Sequence, residues 1–303
     1  MENESTTTTE SALDLSGYFG WQSIASEDLI QGFTFLALVL FFLFCGKKIL
    51  DAFSPFCIDN ELTKKDNKAV AVSVAGYLFA LGFILFSIIS GGSQGSSLLN
   101  DIMMTSVWCL IGIFALIAAQ KINDRFIFKG FSNRKELVED QNIGLGAAEA
   151  GSYIGTGLIL SACLAGDGGS FLQGLISAFL FFVLGQIAFI VFAEAYDKCT
   201  HFDFQKSIEA DNAAVGVSFG LIMVAFANML SGAILASESI LFFVVWCIFG
   251  GILLFGCRFL VDKFILPGSA LDKEIHEDKN WGASMITGSV FIIVSLLVNT
   301  AFL

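Results

Sequence analysis

The chain has 303 residues, 55% of them hydrophobic and only 15% charged, with a net charge of −12 and a mean hydropathy of +0.77. A soluble domain carries nearer a quarter charged residues, so this composition argues against a water-soluble core, and the net acidity argues against a nucleic-acid partner. Thirty-three Phe against two Pro point to lipid-facing helix.

Residues 1–31 carry six acids and no base, and include the tract Ser5–Glu10. Such a segment cannot bury a core and reads as a disordered, acidic tail. It lacks the basic start and early apolar stretch of a cleavable signal. Eight apolar runs follow: Gly32–Gly46, Ala69–Ser90, Ile102–Ala119, Ile143–Ala165, Phe171–Ala193, Ala213–Ala236, Ile240–Cys257 and Trp281–Leu303. About twenty residues at 1.5 Å each span a hydrocarbon core of roughly 30 Å, and each run is within a few residues of that length. The ten-residue alternation of a membrane barrel is missing, so helices are expected.

All sixteen Lys and Arg fall in four stretches between alternate runs: Lys47–Lys68, Lys121–Lys135, Lys198–Lys206 and Arg258–Lys279. The other connections have none. Basic residues stay on the cytoplasmic side of a threaded chain. The expected topology is eight crossings with both termini non-cytoplasmic, in a bacterial inner (plasma) membrane.

The runs repeat. Four even-numbered helices open on an Asn (Asn67, Asn142, Asn212, Asn280), with Gly eight or nine positions on. The four helices before them each lead into an Asp: Asp51, Asp124, Asp197, Asp262. The unit is a helix hairpin with a polar loop. A longer echo places Trp108-Cys109 and Trp246-Cys247 138 residues apart. The expectation is an all-α polytopic fold of four parallel hairpins in two four-helix halves, residues 32–166 and 171–303.

The recurring Asn suits an N-cap. The Asp sits at a helix C-terminus, where the dipole disfavours it. It calls for a partner, with Arg125, Lys198, Lys263 and the amides of the recurring Asn as candidates; the alternative is a solvated border residue inherited by duplication. Ionisable groups inside the runs are the functional leads. Glu149 lies seven residues into the fourth helix, where the other repeats have Val74, Phe219 and Thr287. It can hold a cation or a proton, or reach back to a loop Lys. Glu194 and Arg258 form a candidate intramembrane pair. Gln120, Gln186, Asn228 and Asn299 can join helices, and Gly151-x-x-x-Gly155 permits close helix approach. The seven Cys form no C-x-x-C pair and read as small buried hydrophobes. His201 and His276 lack metal-ligand spacing. Gly166–Ser170 reads as a tight external turn without a preceding strand, so no phosphate loop is expected. No enzyme, cofactor or metal is expected.

The hairpin resembles the bacterial inner-membrane family of domain of unknown function 350, represented by YjfL-like proteins. Asn67, Ala69, Ala71 and Gly76, then Asp124, match one copy of its motif. Asn212, Ala214, Gly216 and Gly220, then Asp262, match a second, and Asn142 and Asn280 open more diverged copies. The resemblance covers nearly all of the chain after residue 31 and implies an envelope role near membrane-stress proteins, with no mechanism. The long acidic tail departs from the family pattern. The expected function is a structural or partner-docking membrane component, with a cytoplasmic protein at the basic loops and a homo-oligomer as candidate partners beside the lipid bilayer. The alternative is a channel or transporter for a small ion or solute, with Glu149 in its path.

Overall fold

The computed structural model describes residues 26–91, 97–165, 170–266 and 268–303. Eight long helices run through it: α1 (Ser26–Phe53), α2 (Lys68–Ser90), α3 (Leu98–Phe126), α4 (Ile143–Leu164), α5 (Phe171–Cys199), α6 (Ala213–Ala236), α7 (Ile240–Leu260) and α8 (Trp281–Phe302). A π turn at Val261–Ile265 continues α7. Each helix is long and apolar enough to cross a bilayer, and no strand occurs among the described residues. The chain is an all-helical, multi-pass membrane protein. Helix α1 begins at Ser26, so residues 26–31, which composition assigns to the tail, are helical. The rest of the tail and the Gly-rich turn at 166–169 lie outside the described residues.

The even-numbered helices form a row in the order α2, α4, α6, α8. Lipid tails give helices no hydrophobic reason to associate, so close packing of small residues must do it. A Cβ on Gly216 would lie 1.9 Å from the Gly144 carbonyl oxygen, and one on Gly151 2.2 Å from the Gly220 Cα. Gly76 meets the Ala150 backbone in the same way, and Gly288 meets Leu221. The interior of the row is tight: 72% of the apolar window of α4 and of α6 is buried, against 44% for α2 and 28% for α8. Helices α1, α3, α5 and α7 flank the row and show large apolar side chains outward, such as Phe33, Phe114, Phe179 and Ile252. Those residues suit lipid contact.

The four basic loops gather on one face, and they are not the plain polar links that composition suggests. They contain short helices at Ile58–Thr63 and Phe204–Glu209, and π turns at Lys135–Glu139 and Lys273–Glu277. Each turns one apolar residue inward: Ile58, Leu137, Ile208 or Ile275, all at most 5% exposed. The residue before every recurring Asn is left-handed, namely Asp66, Gln141, Asp211 and Lys279, with φ between 48° and 51°. In three loops this lets the Asn N–H reach back six residues, to the carbonyls of Glu61, Glu136 and Glu274. That is one residue longer than the 6→1 bond of a Schellman-type stop, which Asn212 N–H makes to the Ser207 carbonyl in the remaining loop, and the next helix starts at once.

Candidate functional site

Each recurring Asn caps its own helix. Asn67 accepts from Val70 N–H, Asn142 from Leu145, Asn212 from Ala214 and Val215, and Asn280 from Ala283. Its amide nitrogen does something the sequence did not suggest: it donates to the backbone of the next loop. Asn67 reaches the Leu137 carbonyl at 2.8 Å, Asn142 the Ile208 carbonyl, and Asn212 the Ile275 and His276 carbonyls. A Glu six residues before the Asn takes the other amide hydrogen in three repeats: Glu61, Glu136 and Glu274. The recurrence of that Glu at a fixed spacing was the available signal. Donation from Asn280 holds the Glu274 carboxyl below its ordinary range.

The recurring Asp does not meet the recurring Asn, nor does it form an ion pair with Arg125, Lys198 or Lys263. It turns forward to anchor the loop. Asp51 accepts from Ile58 N–H at 2.6 Å, Asp197 from Phe204 at 3.1 Å and Asp262 from Leu271 at 2.6 Å. These amides start the loop helices or lie just before the final loop turn, and a carboxylate suits the positive end of a helix. The partner compensates for the position at the end of the crossing helix. Asp124 is the exception and accepts from the Gln120 side chain at 2.9 Å.

That exception marks the site. Glu149, only 4% exposed, accepts from the Ser73 hydroxyl at 2.6 Å. It lines a cavity of about 130 Å³ together with Asp124, Gln120, Ser73 and Tyr153. One water needs roughly 10–15 Å³ of such volume, so the cavity is roomy. Its mouth is on the basic face, among Pro55, Asn133 and Arg134. Gln120 gives its amide hydrogen to Asp124, which fixes its orientation and leaves its buried Oε1 without a donor. The site therefore offers several oxygen acceptors beside the Ser73 and Tyr153 hydroxyls, with Lys121 and Arg134 in its lining. Among the described residues no Lys or Arg is paired with Glu149. Toward the far side, Tyr77 packs edge-on against Tyr153 with centroids 5.4 Å apart, and the fully buried Leu81, Ile84 and Leu116 follow.

Beside the cavity a second buried group joins α3, α4 and α5. Asn123, fully buried, donates to Ser152 at 2.9 Å and Thr156 at 3.2 Å and accepts from Gln186. Asn123, Ser152 and Thr156 escaped sequence reading because short polar residues are common in apolar helices. Gln186 does join helices there; Asn228, which donates to Ser295, and Asn299, which donates to the Asn228 carbonyl, join α6 to α8, whereas Gln120 bonds Asp124 within its own helix.

Glu194 and Arg258 do not pair. Glu194 takes Lys129 on the preceding loop. Arg258 is bound by Asp272 and by the Tyr196 hydroxyl at 2.9 Å, and Tyr196 also contacts Ser218 at 3.1 Å. Both charges sit near the basic face, where Lys129 from the neighbouring unit's loop reaches Glu194 and Asp272 from Arg258's own loop reaches Arg258. Gly155 packs on the Phe189 ring and Gly151 on α6, so the G-x-x-x-G pattern serves two different neighbours. Among the described residues no group of three or more His, Cys, Asp or Glu could hold a metal ion.

Comparison with known proteins fits this architecture. A curated relative, the UPF0719 transmembrane protein of Aquifex aeolicus (strain VF5), is 24% identical over 269 residues, covering 84% of this chain and 94% of the relative. No solved structure matches the chain. The family model described as Domain of Unknown Function (DUF350) matches twice, over residues 23–164 and 170–302. The chain therefore belongs to the DUF350 family, with two tandem copies of its domain.

Proposed function

We propose that this protein is a non-enzymatic component of a bacterial inner membrane that binds a small monovalent cation, or a proton, at Glu149. The basic loops lie in the cytoplasm and the site opens to that side. The observation that carries this reading is an enclosed carboxyl group that forms no ion pair with the Lys121 and Arg134 of the same lining, and that shares the cavity with a second carboxyl group and an orphan amide oxygen. A buried carboxyl group either takes a proton or needs a compensating positive charge, and this one adjoins a water-sized cavity. The apolar closure beyond Tyr77 and Tyr153 favours a binding site with one open side over a continuous pore.

Thermal unfolding of the purified protein in Na⁺, K⁺, Li⁺ and a bulky organic cation, at several pH values, tests the site. Stabilisation by one small ion, or a pH dependence that Glu149→Gln removes, supports it. Identical melting of wild type and Glu149→Gln under all conditions refutes it. Proteoliposome flux then separates a transporter from a static site.

A second reading, docking of a cytoplasmic protein, is supported by the loop layer. The Asn-to-loop hydrogen bonds tie four loops into one plate, which suits a preformed surface better than four separate links would. Crosslinking from Lys64 and Lys129 in membranes should recover one specific partner.

A further inference from the structure

We propose that the protein assembles head-to-tail with further copies of itself, α8 of one protomer packing on α2 of the next in the same membrane orientation. This is independent of the cation site. Among the described residues the row is open at both ends. Within it, each helix receives its predecessor on a stripe with three small positions. On α4 these are Gly146, Ala150 and Gly157, pressed on Ala69, Gly76 and Ala80 of α2. On α6 the same register gives Gly216, Gly220 and Ala227, and on α8 Ser284, Gly288 and Ser295. Helix α2 has no predecessor, yet it carries Ala71, Ala75 and Gly82 in that register. Ala71 and Ala75 are exposed, and a Cβ on Gly82 would meet nothing within 4 Å. A helix meeting only lipid has no need of a small-residue stripe.

The loops are open in the matching way. Asn67, Asn142 and Asn212 are at most 1% exposed because each is covered by the next loop, which accepts its amide. Asn280 is exposed and bonds only within its own loop, to Glu274 and Ala283. At the other end, Leu62 holds the position of Leu137 and Ile275, and no Asn precedes it in the chain. Asn280 of one copy and the Leu62 carbonyl of the next complete the pattern. Charge does not oppose the contact: Glu277 and Asp278 balance Lys273 and Lys279 on the last loop, and Lys64, Lys65 and Lys68 outnumber Asp66 on the first. The outward stripe of α8, with Met285, Ser289 and Ile293, is exposed and aligns with the face that α4 turns to α6. A contact of this kind is heterologous, so it closes into a ring or extends as a chain according to the rotation per copy.

The test uses the full-length protein in native membranes, coexpressed as two differently tagged copies. A photo-crosslinking residue at Ser289 should join the copies, with the adduct mapping to residues 71–82 of the other copy. By native mass in mild detergent, wild type should exceed one chain. Ala75→Leu and Gly82→Leu should each return it to one chain with an unchanged melting temperature, because both positions are open in the single chain. Ser289→Leu serves as the independent variant on the opposite face. A ring or a ladder of masses would each support the proposal. A single-chain mass with no crosslink between copies would overturn it. So would adducts from α8 to α8, to residues 1–25 of the same chain, or to another protein.

Discussion

The two halves of the chain share a domain and differ in the charge they enclose. In the first, Ser73 on α2 donates to Glu149 on α4, and Gln120 on α3 donates to Asp124. In the second, the position of Ser73 is Ser218, that of Gln120 is Arg258 and that of Glu149 is Thr287. Thr287 satisfies itself on the Ala283 carbonyl at 2.7 Å, and Arg258 is neutralised by Asp272 and Tyr196. One half closes its charge with its own residues, while the other leaves an acid bonded to Ser73 at the edge of a cavity. The domain occurs twice, and its two copies carry different polar residues at these positions.

The largest effect is expected where the halves meet. A Leu at Gly216 would drive a side chain into the Gly144 backbone, already only 1.9 Å from where a Cβ would stand. Gly216→Leu should abolish folded protein, read as loss of a monodisperse peak in detergent; normal folding would mean that the halves dock less tightly than described. Next, Arg258→Ala removes one partner each from Asp272, which keeps His201, and Tyr196, which keeps Ser218. Removing one member of a buried pair costs about 3–5 kcal/mol, and with Asp272 23% exposed the loss should be roughly 2–3 kcal/mol in a denaturant titration. Glu149→Gln should behave in the opposite way. It keeps the shape and can still bond Ser73, so stability in the absence of ions should change by less than about 1 kcal/mol, in keeping with a single intramembrane hydrogen bond. A loss as large as that of Arg258→Ala would erase the contrast between the halves.

Asn123→Ala should cost about 2 kcal/mol, since three intramembrane hydrogen bonds at roughly 0.6 kcal/mol each are lost and Gln186 is orphaned. The smallest effect is a gain. Gln141 adopts φ 51°, a conformation that costs an L-residue roughly 1–2 kcal/mol and a Gly little. Gln141→Gly should stabilise by up to about 1 kcal/mol, the remainder being offset by the extra chain entropy of Gly. An equal gain at Asp211→Gly would show that the loops of both halves store the same strain.

Sequence alone determined the crossing helices, because a hydrocarbon core demands long apolar runs and leaves a signal in composition that tertiary context cannot override. It also located the Asn caps, since caps are local, and singled out Glu149 as a lone acid in an apolar run. It misjudged the partners. Whether Asp51 meets an Asn or the amide of Ile58, and whether Arg258 meets Glu194 or Asp272, depends on how far a loop folds back, and that depends on one left-handed residue before each Asn. The row of helices, the cavity behind Glu149 and the Asn-to-loop bonds were decided by tertiary structure only. They join residues about seventy positions apart, and only the close approach allowed by Gly144, Gly151, Gly216 and Gly220 brings those residues together.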